Sequence, residues 1–313
     1  DQDSFVFDNT SHQPKVVSVM LDNKALTNDD YTVSVDKETN AGDYKLIVTG
    51  KGNYTGKVEI PWTIKQHTIA QTMSSFTVTK TYDGTATVST DDLAETNVKF
   101  KSIAGITGIS EMTLTRGKDF KISGHYDAAD ASNDLGADIT ITLAEGGNYT
   151  FKDAKTDEDS PTATLRNFGT ITPATVSTEA KPYDLYVVNN LEREYLIDPA
   201  KLLPDLDKNC DFGTISSYAW SPDSALNAYY GNDFVNGVGV KSENGKILLW
   251  LKVPAVEKDD KKLIGAVTYT AKTQNYGDIT LTVNVNATNK IVPTGELTLS
   301  AKALTYGQAL SAI

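Results

Sequence analysis

Strict alternation of apolar, often β-branched, residues with polar residues is the sequence feature that most constrains this fold. It recurs in three stretches: residues 58–64 of KVEIPWTIK, 139–143 of DITITLA and 279–285 of DITLTVNVNA. A period of two places every second side chain on the same face of an extended chain, so each stretch is predicted to form a half-buried β-strand.

Turn signals separate the predicted strands at Asp83-Gly84, Gly146-Gly147 and Asn244-Gly245. The last pair predicts a tight hairpin, because Asn and Gly readily adopt the positive φ angles of a type I′ turn. The strand that follows it, KILLWLKV, is apolar on both faces from Ile247 to Leu251. We therefore expect this strand in the middle of a sheet.

Helix signals are scarce, and the best candidate is the segment DPAKLLPDL. There Asp198 is expected to cap, Pro199 to take the first turn and Pro204 to end a helix of at most two turns. The predicted fold is therefore all-β: tandem antiparallel β-sandwiches of the Ig-like kind, with at most one short helix in the third unit. A β-grasp-like sheet is the alternative for any one unit.

Two recurring motifs divide the chain. One is an aromatic residue followed by a turn-prone pair, and the other is Asn-Tyr followed by a strand. The first occurs at Phe7-Asp8-Asn9, Tyr82-Asp83-Gly84, Tyr183-Asp184-Leu185 and Tyr306-Gly307-Gln308, and the second at Asn53-Tyr54, Asn148-Tyr149 and Asn275-Tyr276. Each Asn-Tyr is interpreted as a corner, with Asn in the left-handed region and a packed Tyr. The predicted units are 1–65, 66–173 and 174–290, with the start of a fourth at 291–313.

The composition excludes several classes of partner. The 313 residues carry a net charge of −12, which argues against nucleic acid and against an anionic membrane surface. The sequence contains no apolar run long enough to span a bilayer and no secretory signal. Its abrupt first and last residues predict a piece of a longer polypeptide.

Several segments resemble repeat modules of bacterial surface proteins. KTYDGTATV resembles the start of the YDG-type repeat, and LTYGQALSAI resembles the start of the MBG domain of the YGX type. VTGKGNYTGKVEIPWTIK is similar to the end of the Ig-like repeats of such proteins, and YTAKTQNYGDITLTVNVNATNK closely resembles their later repeats. The resemblance implies a small Ig-like repeat at 1–65, a YDG-type domain at 66–173 and a truncated MBG-like repeat at 291–313. The unit 174–290 departs from the pattern through an insertion at about 187–260.

No catalytic or cofactor motif emerges from the sequence. The single cysteine, Cys210, is expected to be a small core residue, and the three histidines, His12, His67 and His125, lie in turn-like or junction sequence and are expected at the surface. Clustered carboxylates lie in polar loops, where solvated charge explains them better than a hydrolytic pair. We therefore predict no catalytic residue, no cofactor and no enzymatic activity.

Two sets of residues remain as candidate binding sites. The loop DAADASNDLGAD has oxygen ligands for calcium but lacks the EF-hand spacing, which leaves no metal site predicted and four weak candidates: Asp127, Asp130, Asp134 and Asp138. Trp62 and Trp250 are expected in the core. Around Trp220, an exposed aromatic platform for sugar rings is the weak alternative to core packing, with Tyr218, Tyr229 and Tyr230.

These observations favour a non-enzymatic extracellular repeat segment, a stalk or adhesion module of a Gram-positive cell-surface protein that is wall-attached or secreted. The alternative is a carbohydrate-binding module of a surface adhesin or glycosidase, located in 174–290. The expected partners are a host glycan or an extracellular protein, with no nucleic acid and no membrane insertion, and the chain is expected to be a monomer.

Overall fold

The computed structural model describes residues 3–73, 76–103, 109–153, 156–188, 192–254 and 262–288. The chain divides into two compact units, Asp1–Ala174 and Thr175–Ile313. The predicted limit at 65/66 within the first unit stays a prediction, and the expected fourth repeat, with its motif at 306–308, lies outside the described residues.

The first unit begins with one four-stranded sheet, called sheet 1. Its strands follow in the order β1-β6-β5-β4, and a two-stranded hairpin, β2-β3, lies apart from it. The bounds are β1 (Ser4–Val6), β2 (Met20–Leu21), β3 (Lys24–Ala25), β4 (Tyr31–Ser34), β5 (Gly42–Gly50) and β6 (Lys57–Lys65). Trp62 and Ile64 are buried on one face of this sheet with Leu46, as the alternation predicts, whereas Val58 and Ile60, at the matching positions earlier in β6, are exposed.

The rest of the first unit is a sandwich of two five-stranded sheets. Sheet 2 has the order β11-β10-β7-β14-β15, and sheet 3 has the order β8-β16-β13-β12-β9. The bounds are β7 (His67–Met73), β8 (Val78–Thr81), β9 (Thr87–Val88), β10 (Asn97–Ser102), β11 (Glu111–Thr115), β12 (Phe120–Tyr126), β13 (Ser132–Leu143), β14 (Tyr149–Lys152), β15 (Asp159–Ser160) and β16 (Thr162–Thr172), with a 3-10 turn at Thr90–Asp92. Phe100 of sheet 2 meets Phe120 of sheet 3 edge to face, with ring centroids 5.8 Å apart.

The second unit is also a sandwich. Sheet 4 has the order β17-β23-β22-β19, and sheet 5 has the order β18-β21-β20. The bounds are β17 (Tyr183–Val188), β18 (Arg193–Ile197), β19 (Ile215–Pro222), β20 (Val238–Glu243), β21 (Lys246–Val253), β22 (Lys262–Thr273) and β23 (Ile279–Thr288). The buried Tyr269 of sheet 4 donates its hydroxyl to the carbonyl oxygen of Trp250 in sheet 5, at 2.9 Å.

The all-β fold class is confirmed, with a refinement in strand direction. Most neighbouring strands are antiparallel, but sheets 1 to 4 each contain a parallel pair. In three of these pairs the first strand of a sheet lies beside the last one: β1 beside β6, β8 beside β16 and β17 beside β23. The alternating pattern specifies faces and not neighbours, which is why it did not reveal these pairs.

The hairpin prediction is confirmed and the helix prediction is only partly right. Asn244 and Gly245 have φ angles of 51° and 77°, and the strand after them, β21, is central in sheet 5. At Asp198 the predicted cap exists, but it starts only a 3-10 turn, Pro199–Lys201. In the described residues the α-helix is α1 (Ser224–Tyr230), capped by Asp223, and a 3-10 segment, Asn232–Gly237, follows it.

The aromatic motif forms the same turn in its first two copies. Asp8 accepts hydrogen bonds from the backbone amide and hydroxyl of Thr10, and Asp83 accepts the same pair from Thr85. The residue between each Asp and Thr, Asn9 or Gly84, is left-handed, with φ of 66° or 75°. The preceding aromatic residues, Phe7 and Tyr82, are buried, and their amides bond to Lys65 and Thr172 at the ends of β6 and β16. The third copy differs, because Tyr183, Asp184 and Leu185 lie inside β17.

The Asn-Tyr pairs precede or begin late strands as predicted, but the asparagines do not have the predicted left-handed backbone conformation. Tyr149 and Tyr276 are buried and Tyr54 is half-buried, before or at the start of β14, β23 and β6. None of the three asparagines has a positive φ. In the first two corners a preceding glycine, Gly52 or Gly146, takes the left-handed conformation instead.

The turn at Asp83 provides a test of this motif. The Lys80 ammonium, whose side chain is 7% exposed, bonds both oxygens of Asp83 at 2.7 and 2.8 Å. Partial burial raises the pKa of Asp83. Hydrogen bonds from Lys80 and Thr85 together lower this pKa by more than burial raises it, so the pKa lies below its ordinary value. We predict that Asp83→Asn lowers the free energy of unfolding by about 2 kcal/mol at neutral pH.

The same substitution has a predicted pH signature. Because the folded-state pKa of Asp83 is depressed, its contribution is present above the unfolded value of about 3.9 and is lost as the pH falls through the folded value. Urea unfolding of both proteins between neutral and acidic pH measures the difference. Asp91→Asn, an exposed change in the adjacent turn, is the control. A difference between wild type and Asp83→Asn that persists unchanged at low pH would contradict the assignment.

Candidate functional site

The best-defined polar cluster outside the turns lies where sheet 1 meets sheet 2. The chain passes from β6 to β7 through a single residue, Gln66, and enters β7 at His67, which is fully buried. The His67 Nδ1 lies 2.8 Å from the Phe7 carbonyl oxygen, and its Nε2 lies 2.9 Å from the Ser102 hydroxyl. Since a carbonyl only accepts, Nδ1 carries a proton and donates it to Phe7, while Nε2 shares a hydrogen bond with the Ser102 hydroxyl.

Asn148 makes the second connection across this joint. Its side-chain oxygen accepts from the Ala41 amide at 2.8 Å, and its side-chain nitrogen donates to the Asn40 side-chain oxygen at 3.1 Å. The Gln66 side chain donates to the Gly147 carbonyl at 2.8 Å. These bonds tie residues 40 and 41, which directly precede β5 of sheet 1, and Gln66 to the turn before β14. We call His67, Asn148 and Gln66 the joint residues.

Ring packing and a groove complete the joint. The rings of Phe7 and Tyr149 meet edge to face, 5.4 Å apart, and burial raises the pKa of Tyr149 to about 12. A groove of about 640 Å³ opens beside them, with Asp43, Asp159 and several threonines in its walls. It lacks aromatic residues, so it offers hydrogen-bonding groups and no stacking surface.

The histidine prediction is wrong for His67. It is 0% exposed and shares a face of β7 with Ile69, since both are buried at alternate positions. This periodicity was the available signal, because a polar residue in phase with buried apolar ones points into a core. His12 is half-buried and bonds Asp8 at 2.9 Å, whereas His125 is largely exposed. Cys210, expected as a core residue, is only half-buried.

Two of the four calcium candidates surround an arginine. Arg166 bonds Asp127 and lies 3.1 Å from an Asp138 oxygen, so a cation of the protein already stands between these carboxylates. The hydrogen bond from Arg166 lowers the pKa of Asp127. Of the other two candidates, Asp130 lies on the loop between β12 and β13, and Asp134 lies near the start of β13. Among the described residues, no group of three or more His, Cys, Asp or Glu side chains is placed to hold a metal ion.

The aromatic candidates lie in two places of the second unit. Tyr218 and Trp220 alternate on the edge strand β19, where Trp220 is 40% exposed and burial raises the pKa of Tyr218. The Trp220 ring covers Gly239 of sheet 5, beside Trp250. Trp250 is not in the core as expected: it is half-buried on the outer face of β21, with the Lys241 ammonium 4.5 Å from its ring centre.

The other two tyrosines belong to the end of helix α1. Tyr229 and Tyr230 meet edge to face, and Tyr230 stacks on the buried ring of Phe234 at 4.8 Å. Burial raises the pKa of Tyr230 above its ordinary range. Tyr230 therefore contributes to packing around the helix. Of the four predicted aromatic candidates, Trp220 is the exposed one, and the three tyrosines are half-buried.

Comparison with protein-family models and with curated proteins gives no match. Among solved structures, the chain is similar to the zebrafish RET cadherin-like domains 1 to 4, with 9% identity, a TM-score of 0.22 and coverage of 82% of this chain and 66% of that chain. The human desmocollin-1 ectodomain gives 11% identity, a TM-score of 0.26 and coverage of 92% and 60%. An endo-fucoidan hydrolase gives 10% identity, a TM-score of 0.24 and coverage of 90% and 39%.

This chain therefore spans less than two thirds of the length of all three structures. At these identities and TM-scores, neither adhesion nor hydrolysis follows for this chain from the likeness. In the described part of the chain, no helix has the length and apolar character needed to cross a membrane.

The buried histidine gives a direct test of the joint. Replacing His67 with Ala removes the donor to Phe7 and leaves a cavity beside an unpaired carbonyl. We predict a loss of about 3 kcal/mol in the free energy of unfolding, measured in urea. His125→Ala, on an exposed position of β12, is the matched control and is expected to change stability by less than about 0.5 kcal/mol. Equal effects of the two changes would show that His67 has no special role.

Proposed function

We propose that this chain is a non-enzymatic, extracellular repeat segment that acts as a spacer in a bacterial cell-surface protein. The YDG-like, MBG-like and Ig-like sequence segments support the bacterial surface setting and a wall-attached or secreted location. The acidic composition, with a net charge of −12, suits a solvated extracellular module and disfavours nucleic acid as a partner.

The observation on which the proposal rests most is the parallel pairing of first and last strands. When the first and last strands of a sheet are parallel neighbours, the chain enters at one end of the sheet and leaves at the opposite end. Sheets 1, 3 and 4 all have this arrangement. Each such element therefore passes the chain onward along its own length and does not return it to the entry side, as a spacer requires.

The joint supplies the second requirement of a spacer, which is resistance to bending. A single residue separates β6 from β7, and the joint residues connect both sides by hydrogen bonds of 2.8 to 3.1 Å. A short linker with bonds on both sides has few accessible orientations. The connection between sheet 1 and sheet 2 is therefore proposed to be stiff.

Distance measurements between two spin labels test this stiffness. Labels on cysteines replacing the exposed Thr32 and Lys121, in a Cys210→Ser background, report the distance between sheet 1 and sheet 3. We expect a single narrow distribution by double electron–electron resonance, and a broader one when Asn148→Ala removes the bonds to residues 40 and 41. Asn133→Ala, an exposed change in the same unit, is the control. A broad distribution in the unmodified joint would refute the stiff spacer.

One observation favours a second function, carbohydrate binding by the second unit. Trp220 presents 40% of its surface to solvent beside the half-buried Trp250, and a Lys241–Glu194 ion pair of 2.7 Å borders the rings. Indole rings flanked by polar groups suit the apolar face and hydroxyls of a sugar. Of the four predicted aromatic candidates, we assign this role to Trp220 and add Trp250.

A glycan array probed with the full chain tests this second function. We expect saturable binding that Trp220→Ala weakens at least tenfold, the loss of about 1.4 kcal/mol of stacking energy. Phe168→Ala, which removes another exposed ring in the first unit, is the control and should leave binding unchanged. Absence of saturable binding in the unmodified chain would reject carbohydrate recognition and leave the spacer as the remaining function.

A further inference from the structure

We propose that the parallel pair of β17 and β23 is a load-bearing clamp, so that the second unit resists tension applied along the chain. The inference deepens the proposed spacer function and rests on it, because only a segment held between two attachments experiences such tension. It concerns mechanical resistance, a property distinct from equilibrium stability and from stiffness at the joint.

The register of the two strands determines how force acts on them. Six residue pairs connect them in parallel, from Tyr183 with Val283 to Val188 with Thr288. The chain enters the unit before Tyr183 and continues beyond Thr288, at opposite ends of the pair. Tension on the two sides therefore slides the strands past each other along their axes. All interstrand hydrogen bonds of the pair are then loaded together, since they are evenly spaced in a parallel ladder.

Side chains reinforce the same pair. Asp184, exposed on β17, accepts from the side-chain nitrogens of Asn284 at 3.0 Å and Asn286 at 3.4 Å on β23. On the opposite face, Leu185 and Val187 are buried. On one face of the clamp, side-chain hydrogen bonds thus connect the two strands, and on the other face β17 packs into the core of the sandwich. Sliding β17 by one residue would break both sets of contacts.

The three parallel pairs of first and last strands differ in length, and this predicts an order of failure. The pair of β1 and β6 has three residue pairs, the pair of β8 and β16 has four, and the pair of β17 and β23 has six. If shear of these pairs limits unfolding under force, sheet 1 yields first and the second unit last. The free energy of unfolding gives no reason for this order. Sheet 3, which contains β8 and β16, belongs to the larger sandwich, yet it is expected to yield before the second unit.

Single-molecule force spectroscopy on the full chain in a Cys210→Ser background tests the clamp by changing the direction of pull. In the shear geometry the handles are at a cysteine replacing the exposed Lys181 and at the carboxyl terminus. In the peeling geometry the first handle moves to a cysteine replacing the exposed Glu192, four residues beyond β17. Force then acts from the end at which both strands finish, and the residue pairs open one at a time.

We expect a rupture force several-fold higher in the shear geometry than in the peeling geometry, in the same folded protein. Asp184→Ala should lower the rupture force in the shear geometry and leave the peeling force unchanged. Asp278→Ala, an exposed change before β23, is the matched control and should alter neither. A general loss of stability would lower both forces together, so the contrast isolates the clamp.

Equal rupture forces in the two geometries would overturn the clamp. So would an Asp184→Ala variant that weakens both geometries equally. Neither result would affect the spin-label test of the joint, which lies in the other unit, so failure of the clamp and failure of the spacer are distinguishable. In the unmodified chain pulled from its two termini, rupture of the second unit before sheet 1 would also contradict the proposal, because it reverses the order expected from the three pair lengths.

Discussion

Parallel pairing of first and last strands is the constraint on which the rest of this structure depends. It brings together residues far apart in sequence, such as Phe5 with Ile64 and Tyr183 with Val283. The cost of closing such long loops is largely entropic and grows slowly with length. Hydrophobic burial along the closing strand offsets it, as at Leu185 and Val187. Because the first strand of sheets 1, 3 and 4 pairs with the last one, we infer that these three sheets acquire their final register only when their last strand is available.

The joint shows how this closure extends from one sheet to the next. Phe7 follows β1 directly, and its amide bonds to the end of β6 while its carbonyl accepts from His67. The turn at Asp8 then directs the chain away. Closure of sheet 1 thus positions the acceptor that the buried histidine requires. A buried imidazole without that acceptor would bear an unmet donor in an apolar setting, so the two elements stabilise each other.

The sequence predicted the strands well because alternation is a local property. It also predicted the Asn244-Gly245 hairpin, which depends on neighbouring residues. The central position of β21 was indicated by the apolar character of both its faces, although its second neighbour, β18, is distant in sequence. It missed the parallel partners, because which strand lies beside β17 is decided by long-range packing. It placed the helix at Asp198, where a cap and two prolines lie close together, whereas the helix begins after Asp223. At Asp223 the carboxylate bonds the backbone amides of both Leu226 and Ala266, and the tertiary bond to Ala266 in β22 outweighs local propensity.

For the site, the burial of His67 could be predicted from its alternation with the apolar Ile69. Its hydrogen-bond partners, Phe7 and Ser102, could not be predicted, because both are distant in sequence.

In the second unit, the proposed load-bearing pair and the proposed sugar-binding residue lie on opposite sides of the same sheet. In sheet 4, β17 is one edge strand with β23 beside it, and β19, which carries Trp220, is the other edge strand beyond β22. Tension transmitted along β17 and β23 therefore does not pass through the strand that presents the indole ring. The central β22 separates them and is buried along one face at Val267, Tyr269 and Ala271. A clamp that holds its register under load leaves β22 in place, so a sugar stacked on Trp220 would meet the same surface in the loaded and unloaded protein. The two proposed roles are thus compatible within one sandwich, and the strand order is the physical reason.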